Sequence, residues 1–360
     1  MRIATLSSVN VKHMTLISHY LENIDLNKHQ VDLIYADKHG VDEYVEGVRR
    51  YKFNIQIDPD WSKLRKIKTY LGYKNKVLKL LEANDYDFVI VWGSYTAHLF
   101  SKILKRKYEG KYIINIRDYF HEKNPIIKFL LKRLIDKSKF VTLSSEGFKT
   151  FLPKSNKYFV IYSANHNIIS EARIERNFKR EKPLRISFIG NNRFFNVHEN
   201  LLMKLKNDDR FVLQYFGTGS ERLAQFAKEN DINNVKFLGG FPIEETPRLL
   251  DETDILNNVY GNNDIALDTA LSIRLYYAIY LRKPILTSPN TFTSKKAHDL
   301  SLGFDVNLEN DKLGDEIWDW YSQKLYQIVN HKVEKEIKEI ENRNTRLYDE
   351  LKKVVEDEGL

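Results

Sequence analysis

The chain has 360 residues, 42% of them hydrophobic, and a formal net charge of +8. It contains no cysteine, which excludes disulfides, thiolate nucleophiles and cysteine-ligated zinc and favours a reducing cytoplasm. This length exceeds that of one ordinary core and predicts two domains. The N-terminus MRIATLSS lacks the long apolar segment of a secretory leader, and no run of about 18 apolar residues occurs. We therefore expect a cytoplasmic protein.

The charge is unevenly distributed along the chain. Residues 1–180 hold 33 Lys and Arg against 19 Asp and Glu, a net charge of +14, whereas residues 181–360 hold 24 against 30, a net charge of −6. A basic first half fits an anionic membrane surface or a lipid-diphosphate acceptor, and it fits ordinary solvated helix faces equally well. No RNP, zinc-finger or helix-turn-helix signature accompanies the charges, so nucleic acid is not expected as a partner.

Strand-like and helix-like runs alternate along the first half of the chain. This alternation predicts a parallel sheet covered by helices. The predicted strands are 3–6, 31–35, 54–57, 88–92, 112–116, 140–143 and 158–162. The predicted helices are 13–23, 62–83, 94–107 and 125–137. We expect a first domain at 1–168 and a charge-rich linker at 169–183.

The second half repeats the same alternation. Its predicted strands are 185–189, 211–216, 235–238, 255–259 and 284–287. Its predicted helices are 198–206, 220–230, 244–251 and 269–281. Residues 315–356 are predicted to be wholly helical, with Glu and Lys at i, i+4 spacing. We expect a second Rossmann-like domain at 184–314 and C-terminal helices at 315–360 that either cross back to the first domain or extend into solvent.

The segment 269–286, TALSIRLYYAIYLRKPIL, is the most informative in the sequence. Thr and Ser precede apolar residues at helical spacing, and Arg274 lies in the first turns. The N-terminus of a helix presents unpaired backbone N–H groups and the positive end of the helix dipole. An anion such as a diphosphate binds well at such a place, with Arg274 as an additional fixed cation.

This segment resembles the donor-binding helix of GT-B glycosyltransferases, which carries a pattern similar to S-N-K-L-x-E-Y followed by G-K-P-I. The tracts LRISFIGNNRFFNVHENLL, FVLQYFGTGSERLAQFAKEN and VKFLGGFPIEETPRLLDETDIL resemble the donor domain of the same superfamily, closest to its family-4-like retaining enzymes of capsule and lipopolysaccharide synthesis. VTLSSEGFKTFLP, FVIYSANHNI and IINIRDYFHEK resemble segments of its acceptor domain. The resemblance implies a GT-B fold, with two Rossmann-like domains whose parallel sheets face each other across a cleft.

The resemblance also implies a donor site. Gly190, Asn191 and Arg193 match the loop that contacts the donor diphosphate, and Arg274 takes the place of a phosphate-binding Lys. The remaining donor-binding candidates are Gly217, Phe241, Asp268, Ser272 and Tyr277. One departure concerns the family's E-x7-E motif: Tyr277 replaces its second Glu, and Thr269, beside Asp268, occupies the place of the first. The sugar contacts are then either rebuilt around Asp264 or Asp268, or donor binding is weakened.

Acceptor-side candidates follow the predicted strands of the first half. Ligands bind at the carboxyl ends of strands in open parallel sheets. The candidates in such positions are Ser7, His13, Trp92, Ser94, Arg117, Asp118, His121 and Glu122. Asp118 or Glu122 would deprotonate an acceptor hydroxyl, or orient the donor if configuration is retained. His121, on the same loop, is the third catalytic candidate. The alternative for Arg117 and Asp118 is an internal salt bridge that holds a loop.

The sequence thus predicts a glycosyltransferase that moves a sugar from a nucleotide-diphosphate sugar to a lipid-linked or saccharide acceptor, peripheral to the inner face of the cell membrane. His13, His19, His98, His166 and His198 lack metal-ligand spacing, so ordinary polar placement is expected for them. Asp85 and Asp87 form a D-x-D pattern of the kind that holds Mn²⁺ or Mg²⁺, but they immediately precede a predicted strand, where a turn is the commoner explanation. No metal or other cofactor is expected. The alternative is a catalytically silent glycosyltransferase-like subunit that binds a partner enzyme or a saccharide. An NAD-dependent enzyme is a more distant alternative, because the glycines at 217 and 219 do not complete the dinucleotide fingerprint.

Overall fold

The chain forms two compact units, Met1–Tyr162 with Asn342–Leu360, and Ser163–Glu341. The structure, a computed structural model, describes residues 1–14, 17–55, 57–58, 60–173, 183–324 and 330–356. Most of the expected linker at 169–183 lies outside these described residues.

The first unit contains a seven-stranded sheet in which all described neighbouring strands are parallel. The strands are β1 (Arg2–Ser7), β2 (Gln30–Asp37), β3 (Arg49–Asn54), β4 (Phe88–Trp92), β5 (Tyr112–Ile116), β6 (Val141–Leu143) and β7 (Tyr158–Val160). Their order is β3-β2-β1-β4-β5-β6-β7. The order reverses between β1 and β4, and such a switch point is where ligands bind in open α/β sheets.

Helices connect these strands. They are α1 (Ser18–Leu21), α2 (Lys63–Ala83), α3 (Ser94–Leu99), α4 (Ser101–Arg106) and α5 (Pro125–Lys137), with 3-10 turns at Val11–His13 and Glu146–Thr150. The side chain of Asn124 accepts hydrogen bonds from the first N–H groups of α5, and Pro125 occupies its first position. Both features favour a helix that starts at Pro125.

The second unit contains a six-stranded sheet, again parallel throughout its described pairings. Its strands are β8 (Leu184–Ile189), β9 (Phe211–Phe216), β10 (Val235–Leu238), β11 (Ile255–Asn258), β12 (Ile285–Thr287) and β13 (Gly303–Asp305). The order β10-β9-β8-β11-β12-β13 places a switch point between β8 and β11.

The helices of the second unit lie between these strands and after them. They are α6 (His166–Glu171), α7 (Phe195–Lys204), α8 (Ser220–Glu229), α9 (Thr246–Asp251), α10 (Ile265–Thr269), α11 (Ile273–Leu281), α12 (Phe292–Asp299), α13 (Leu313–Lys324) and α14 (Asn330–Glu356), with a 3-10 turn at Ile243–Glu245. The residues of α14 up to Glu341 belong to this unit, and those from Asn342 onwards belong to the first.

The second half of α14 completes the core of the first unit. Leu347 and Leu351 are buried in a cluster that also contains Ile3 and Val31. Asn344 accepts a hydrogen bond from the backbone N–H of Tyr162 at 3.0 Å. The described residues 342–356 are therefore structural parts of the first unit.

The predicted pair of parallel sheets covered by helices is confirmed, and several predicted elements need correction. The strand expected at 54–57 lies instead at Arg49–Asn54, because the sheet edge uses a charged segment rather than the apolar one. The helix expected at 269–281 begins only at Ile273; Thr269 is the last residue of a separate helix. The helix 13–23 is reduced to two short turns in the described residues. Helix α12 and strand β13 were not predicted.

Replacing Leu347 with Ala tests the role of the C-terminal helix. Loss of a fully buried leucine leaves a cavity, and we expect the free energy of unfolding to fall by about 2–5 kcal/mol. Lys352→Ala, at an exposed position of the same helix, should change it by less than about 0.5 kcal/mol. Urea unfolding followed by circular dichroism measures both, and equal values for the two variants would contradict this packing.

Candidate functional site

Glycines bring two loops of the second unit into direct contact at the carboxyl ends of β8 and β9. Gly217 has a φ of 125°, and a Cβ atom there would lie 2.0 Å from the carbonyl oxygen of Gly190. Gly219 has a φ of 87°, and a Cβ atom there would lie 2.4 Å from the carbonyl oxygen of Asn192. Only glycine permits these approaches. The loop after β8, which begins at Gly190, is thus held tightly against the loop after β9.

Arg274 lies at the switch point of this sheet. Its backbone N–H donates to the Ser272 side chain, which caps α11 at 3.3 Å. Its Nε donates to Asn258 Oδ1 at 3.0 Å, and its Nη1 donates to the carbonyl oxygen of Ile189 at 2.9 Å. Ile189 ends β8 and Asn258 ends β11. The guanidinium group therefore joins the two strands at the place where the topology opens a ligand crevice.

The charge of Arg274 is buried without a carboxylate partner among the described residues. The residue is 9% exposed, and its two named acceptors are neutral oxygens. The Cζ atom lies 4.0 Å from the centre of the Phe188 ring. Burial lowers the pKa of Arg274 to about 10, and the nearby charge of Arg193 acts in the same direction. The group stays protonated at neutral pH, so an anion bound here would remove a real electrostatic penalty.

The other donor-side candidates occupy the same carboxyl edge at differing distances from Arg274. Asn191 and Arg193 are exposed on the loop after β8. Phe241 is partly buried after β10, whose loop approaches the loop after β9 at Thr218. The structure thus gathers Gly190, Arg193, Gly217, Ser272 and Arg274 around the ends of β8 and β11 and leaves Phe241 at the edge strand.

Three further residues considered for the donor site have structural contacts of their own. Asp268 accepts a hydrogen bond from the backbone N–H of Asn263 at 3.0 Å through Oδ1. Asp264 caps α10 by accepting from the N–H groups of Ala266 and Leu267. Tyr277 is buried one turn beyond Arg274, and burial raises its pKa to about 12. Tyr277 is therefore a neutral packing residue where the family pattern has a carboxylate.

His198 is a residue beside the site that sequence reasoning treated as ordinary. It is fully buried in α7, with its ring 4.6 Å from that of Phe188 and 5.3 Å from that of Tyr215. Neither ring nitrogen has a hydrogen-bond partner in the described part of the chain. Burial, together with the charge of Arg274, lowers the pKa of His198 to about 3. No sequence motif marks this burial, which arises from packing behind Arg274.

In the first unit the loop after β1 meets helix α3, which follows β4, at the switch point. The Oγ of Ser8 lies 2.8 Å from Thr96 Oγ1, and the backbone N–H of Ser8 donates to the same oxygen at 3.2 Å. Ser7 is buried, and its carbonyl oxygen accepts from the Tyr73 hydroxyl at 2.6 Å. His13 lies towards the loop after β2, where its Nε2 is 3.4 Å from that of His39.

Glu122 is a buried carboxylate with structural hydrogen bonds rather than an exposed one. It is fully buried, and its Oε1 accepts from the Ser94 hydroxyl at 2.6 Å. Its Oε2 accepts from the backbone N–H of Phe120. These bonds tie the loop after β5 to the start of α3. That Glu122 deprotonates an acceptor hydroxyl stays a prediction. Its burial does not favour this role.

The remaining candidates after β4 and β5 differ in exposure. Trp92 is buried, and the Cζ of Arg117 lies 6.0 Å from its ring centre. Asp118 and His121 are exposed on the same loop, and His121 adopts a φ of 57°. Of the two predicted catalytic carboxylates, Asp118 is the one that faces solvent.

Two absences hold for the described ranges only. No group of three or more His, Cys, Asp or Glu is arranged there to hold a metal ion. No helix there combines the length and apolar character needed to cross a bilayer.

No protein-family model matches the sequence, and no curated protein does. Solved structures match almost the whole chain. Sucrose-phosphate synthase (tll1590) from Thermosynechococcus elongatus gives a TM-score of 0.67 at 12% identity, covering 98% of this chain and 99% of that one. Anabaena Alr3699/HepE in complex with UDP and glucose gives 0.65 at 12% identity, covering 98% and 99%. The lipopolysaccharide outer core galactosyltransferase WaaB gives 0.61 at 14% identity, covering 97% and 99%. The chain shares the GT-B fold of these proteins, with two Rossmann-like domains.

The depressed pKa of His198 predicts a pH-dependent loss of stability. The unfolded chain binds a proton at this residue below pH ~6.5, whereas the folded chain does so only near pH 3. The free energy of unfolding should therefore fall as pH decreases through this window, by roughly 2 kcal/mol at pH 5 from this group. His198→Leu should remove that part of the loss, and His331→Gln, at an exposed position, should keep it. Urea unfolding at pH 7 and pH 5 makes the comparison; identical losses in wild type and His198→Leu would refute it.

Proposed function

We propose that the protein is a glycosyltransferase that moves a sugar from a nucleotide-diphosphate sugar to a lipid-linked or saccharide acceptor in surface polysaccharide synthesis. The observation that carries this proposal is the buried guanidinium of Arg274, held by neutral oxygens at the β8–β11 switch point. HepE, which shares the fold, has been solved in complex with UDP and glucose. Resemblance to family-4-like enzymes favours retention of configuration.

The positive charge at this site suits a departing nucleoside diphosphate. Arg193 is close enough to Arg274 for its charge to help lower the pKa of Arg274. A diphosphate near the start of α11 would offset the repulsion between these two cations. It would also accept hydrogen bonds from backbone N–H groups. Stabilisation of the leaving group by fixed guanidinium groups performs the task that a divalent cation performs in other phosphate sites. We therefore propose transfer that does not depend on metal.

Sugar recognition is rebuilt around α10. Asp264 and Asp268 each use Oδ1 for backbone N–H groups, which leaves the second carboxylate oxygen available to a sugar hydroxyl. Tyr277 does not replace the missing family Glu, because its side chain is buried. This assigns sugar contacts to residues that precede Arg274 in the chain.

On the acceptor side we assign proton abstraction to Asp118. It is exposed at the carboxyl edge of β5, as the reacting group must be, whereas Glu122 is enclosed by Ser94 and Phe120. Glu122 then acts as a positioning residue that fixes the loop carrying Asp118 and His121. The excess of Lys and Arg in residues 1–180 supports peripheral contact with an anionic membrane at the cytoplasmic face.

Nucleotide-dependent thermal stabilisation tests the donor site. At a ligand concentration about 100 times the dissociation constant, UDP, GDP or dTDP should stabilise the wild-type protein by about 2.7 kcal/mol. Arg274→Met should abolish this gain, since it removes the central cation. Arg222→Met, which alters an exposed arginine of α8 paired with Glu199, should retain it. Absence of any nucleotide effect on wild type would favour the silent-subunit alternative.

A pair of carboxylate variants separates catalysis from positioning. Asp118→Asn should lower the rate of sugar transfer by about 10²–10⁴-fold with an unchanged melting temperature, because only the general base is lost. Glu122→Gln should lower the melting temperature as well, because a buried charge-assisted contact is weakened. Transfer assayed by mass spectrometry with and without EDTA provides the rates. An Asp118→Asn enzyme of wild-type activity would exclude this residue as the base.

A further inference from the structure

A groove of about 420 Å³ lies on the surface of the first unit. Its volume is within the range of small-molecule sites. The lining consists of side chains from α2 and α3, and all but one are apolar or aromatic: Lys66, Ile67, Tyr70, Leu71, Tyr95 and Leu99. Among the residues that the structure describes, no acidic side chain belongs to this lining.

The apolar side chains of the groove are additional to those that α2 uses for the core. Tyr73, Val77 and Leu81 are buried and form the core face of the helix. Ile67 and Leu71 remain 55% and 49% exposed. Single exposed apolar residues are ordinary, but a contiguous apolar lining marks a binding surface.

The groove runs towards the acceptor-side loops. The ring of Tyr70 is 5.5 Å from that of Tyr95, and Tyr95 is 4.9 Å from Phe120. Phe120 belongs to the loop after β5 that carries Asp118. Ser94, which bonds Glu122, directly precedes Tyr95. A ligand seated in the groove would therefore end beside the proposed acceptor site.

Positive charge borders the apolar lining. Lys66 is part of the lining itself. The Nζ of Lys38 lies 5.5 Å from the centre of the Tyr70 ring. An apolar groove with ammonium groups at its border complements an amphiphile with a hydrocarbon chain and an anionic head.

We infer that this groove holds the hydrocarbon chain of a single lipid-phosphate acceptor, with Lys38 and Lys66 next to its phosphate. The inference rests on the proposed glycosyltransferase function and narrows its acceptor to the lipid-linked class. It differs from adsorption to a bilayer, in which any exposed apolar side chain of the unit would serve equally.

Helix α5 supplies a matched control for that distinction. Ile126 and Phe129 are 68% and 61% exposed, and Lys128 lies between them. None of these residues lines the groove. A substitution at Phe129 therefore tests general adsorption, whereas one at Leu71 tests the groove.

Calorimetric titration of the full chain with monodisperse farnesyl phosphate tests the inference. The wild type should bind farnesyl phosphate more tightly than farnesol. Leu71→Glu should weaken farnesyl phosphate binding by about tenfold or more, because a charge enters the apolar lining. Phe129→Glu should change it by less than about twofold. Lys66→Gln should reduce the preference for the phosphate over the alcohol.

Three results would overturn the inference: no binding of farnesyl phosphate by the wild type, equal weakening by Leu71→Glu and Phe129→Glu, or binding only to vesicles of phosphatidylglycerol. UDP-dependent thermal stabilisation is measured on the same samples. Because it reports the Arg274 site, a retained UDP effect with a failed lipid titration rejects the groove alone. Loss of the UDP effect in wild type would instead reject the proposed function.

Discussion

The burial of the Arg274 guanidinium without a described carboxylate partner is the constraint on which the proposed donor site depends. A cation removed from water needs compensation, and two neutral oxygens, Asn258 Oδ1 and the Ile189 carbonyl, supply hydrogen bonds but no opposite charge. The Phe188 ring contributes a cation–π contact. Burial lowers the pKa to about 10, which still leaves the group charged at neutral pH. Under our proposal, an anion bound at this site supplies the opposite charge that the two neutral oxygens do not.

The topology explains why this cation lies where a ligand can use it. From β8 the chain continues to β9 on one side, and β11 is added on the other, so the loops after β8 and β11 diverge. Arg274 spans that divergence by binding the ends of both strands. Gly217 allows the β9 loop to press against Gly190, which fixes the backbone above the guanidinium. Sheet order and glycine geometry together determine a site that no single motif specifies.

The hydrophobic pattern of short segments was sufficient to predict the central strands and the helix that contains Arg274. The run at 88–92 is continuously apolar and the run at 112–116 is interrupted only by Asn115, because both faces of these central strands are buried. Their predicted bounds match β4 and β5. The helix containing Arg274 was also predicted. Its start was predicted too early in the chain. Thr269 ends the preceding helix α10, and Ser272 is the N-cap of the helix that contains Arg274. The edge strand β3 was misplaced because charged residues conceal its alternation.

Properties that depend on tertiary packing were not accessible from the sequence. Nothing in the loop 117–124 distinguishes Asp118 from Glu122 as a potential base, and only the contacts of Glu122 with Ser94 and Phe120 separate an enclosed carboxylate from an exposed one. His198 is similar, since its burial behind Phe188 has no motif. The positions of chemically similar groups relative to solvent are what the structure adds.

In the acceptor side that we propose for the first unit, α3 contributes neighbouring residues both to the loop of Asp118 and to the groove. Ser94 at its first position holds Glu122 and thereby the loop of Asp118. Tyr95, the next residue, belongs to the groove and also packs on Phe120 of that loop. A hydrocarbon chain against Tyr95 would therefore restrict the same loop that Glu122 braces. Binding energy gained far from the reacting hydroxyl would then serve to orient the base, which is how remote substrate contacts raise the rate of a chemical step.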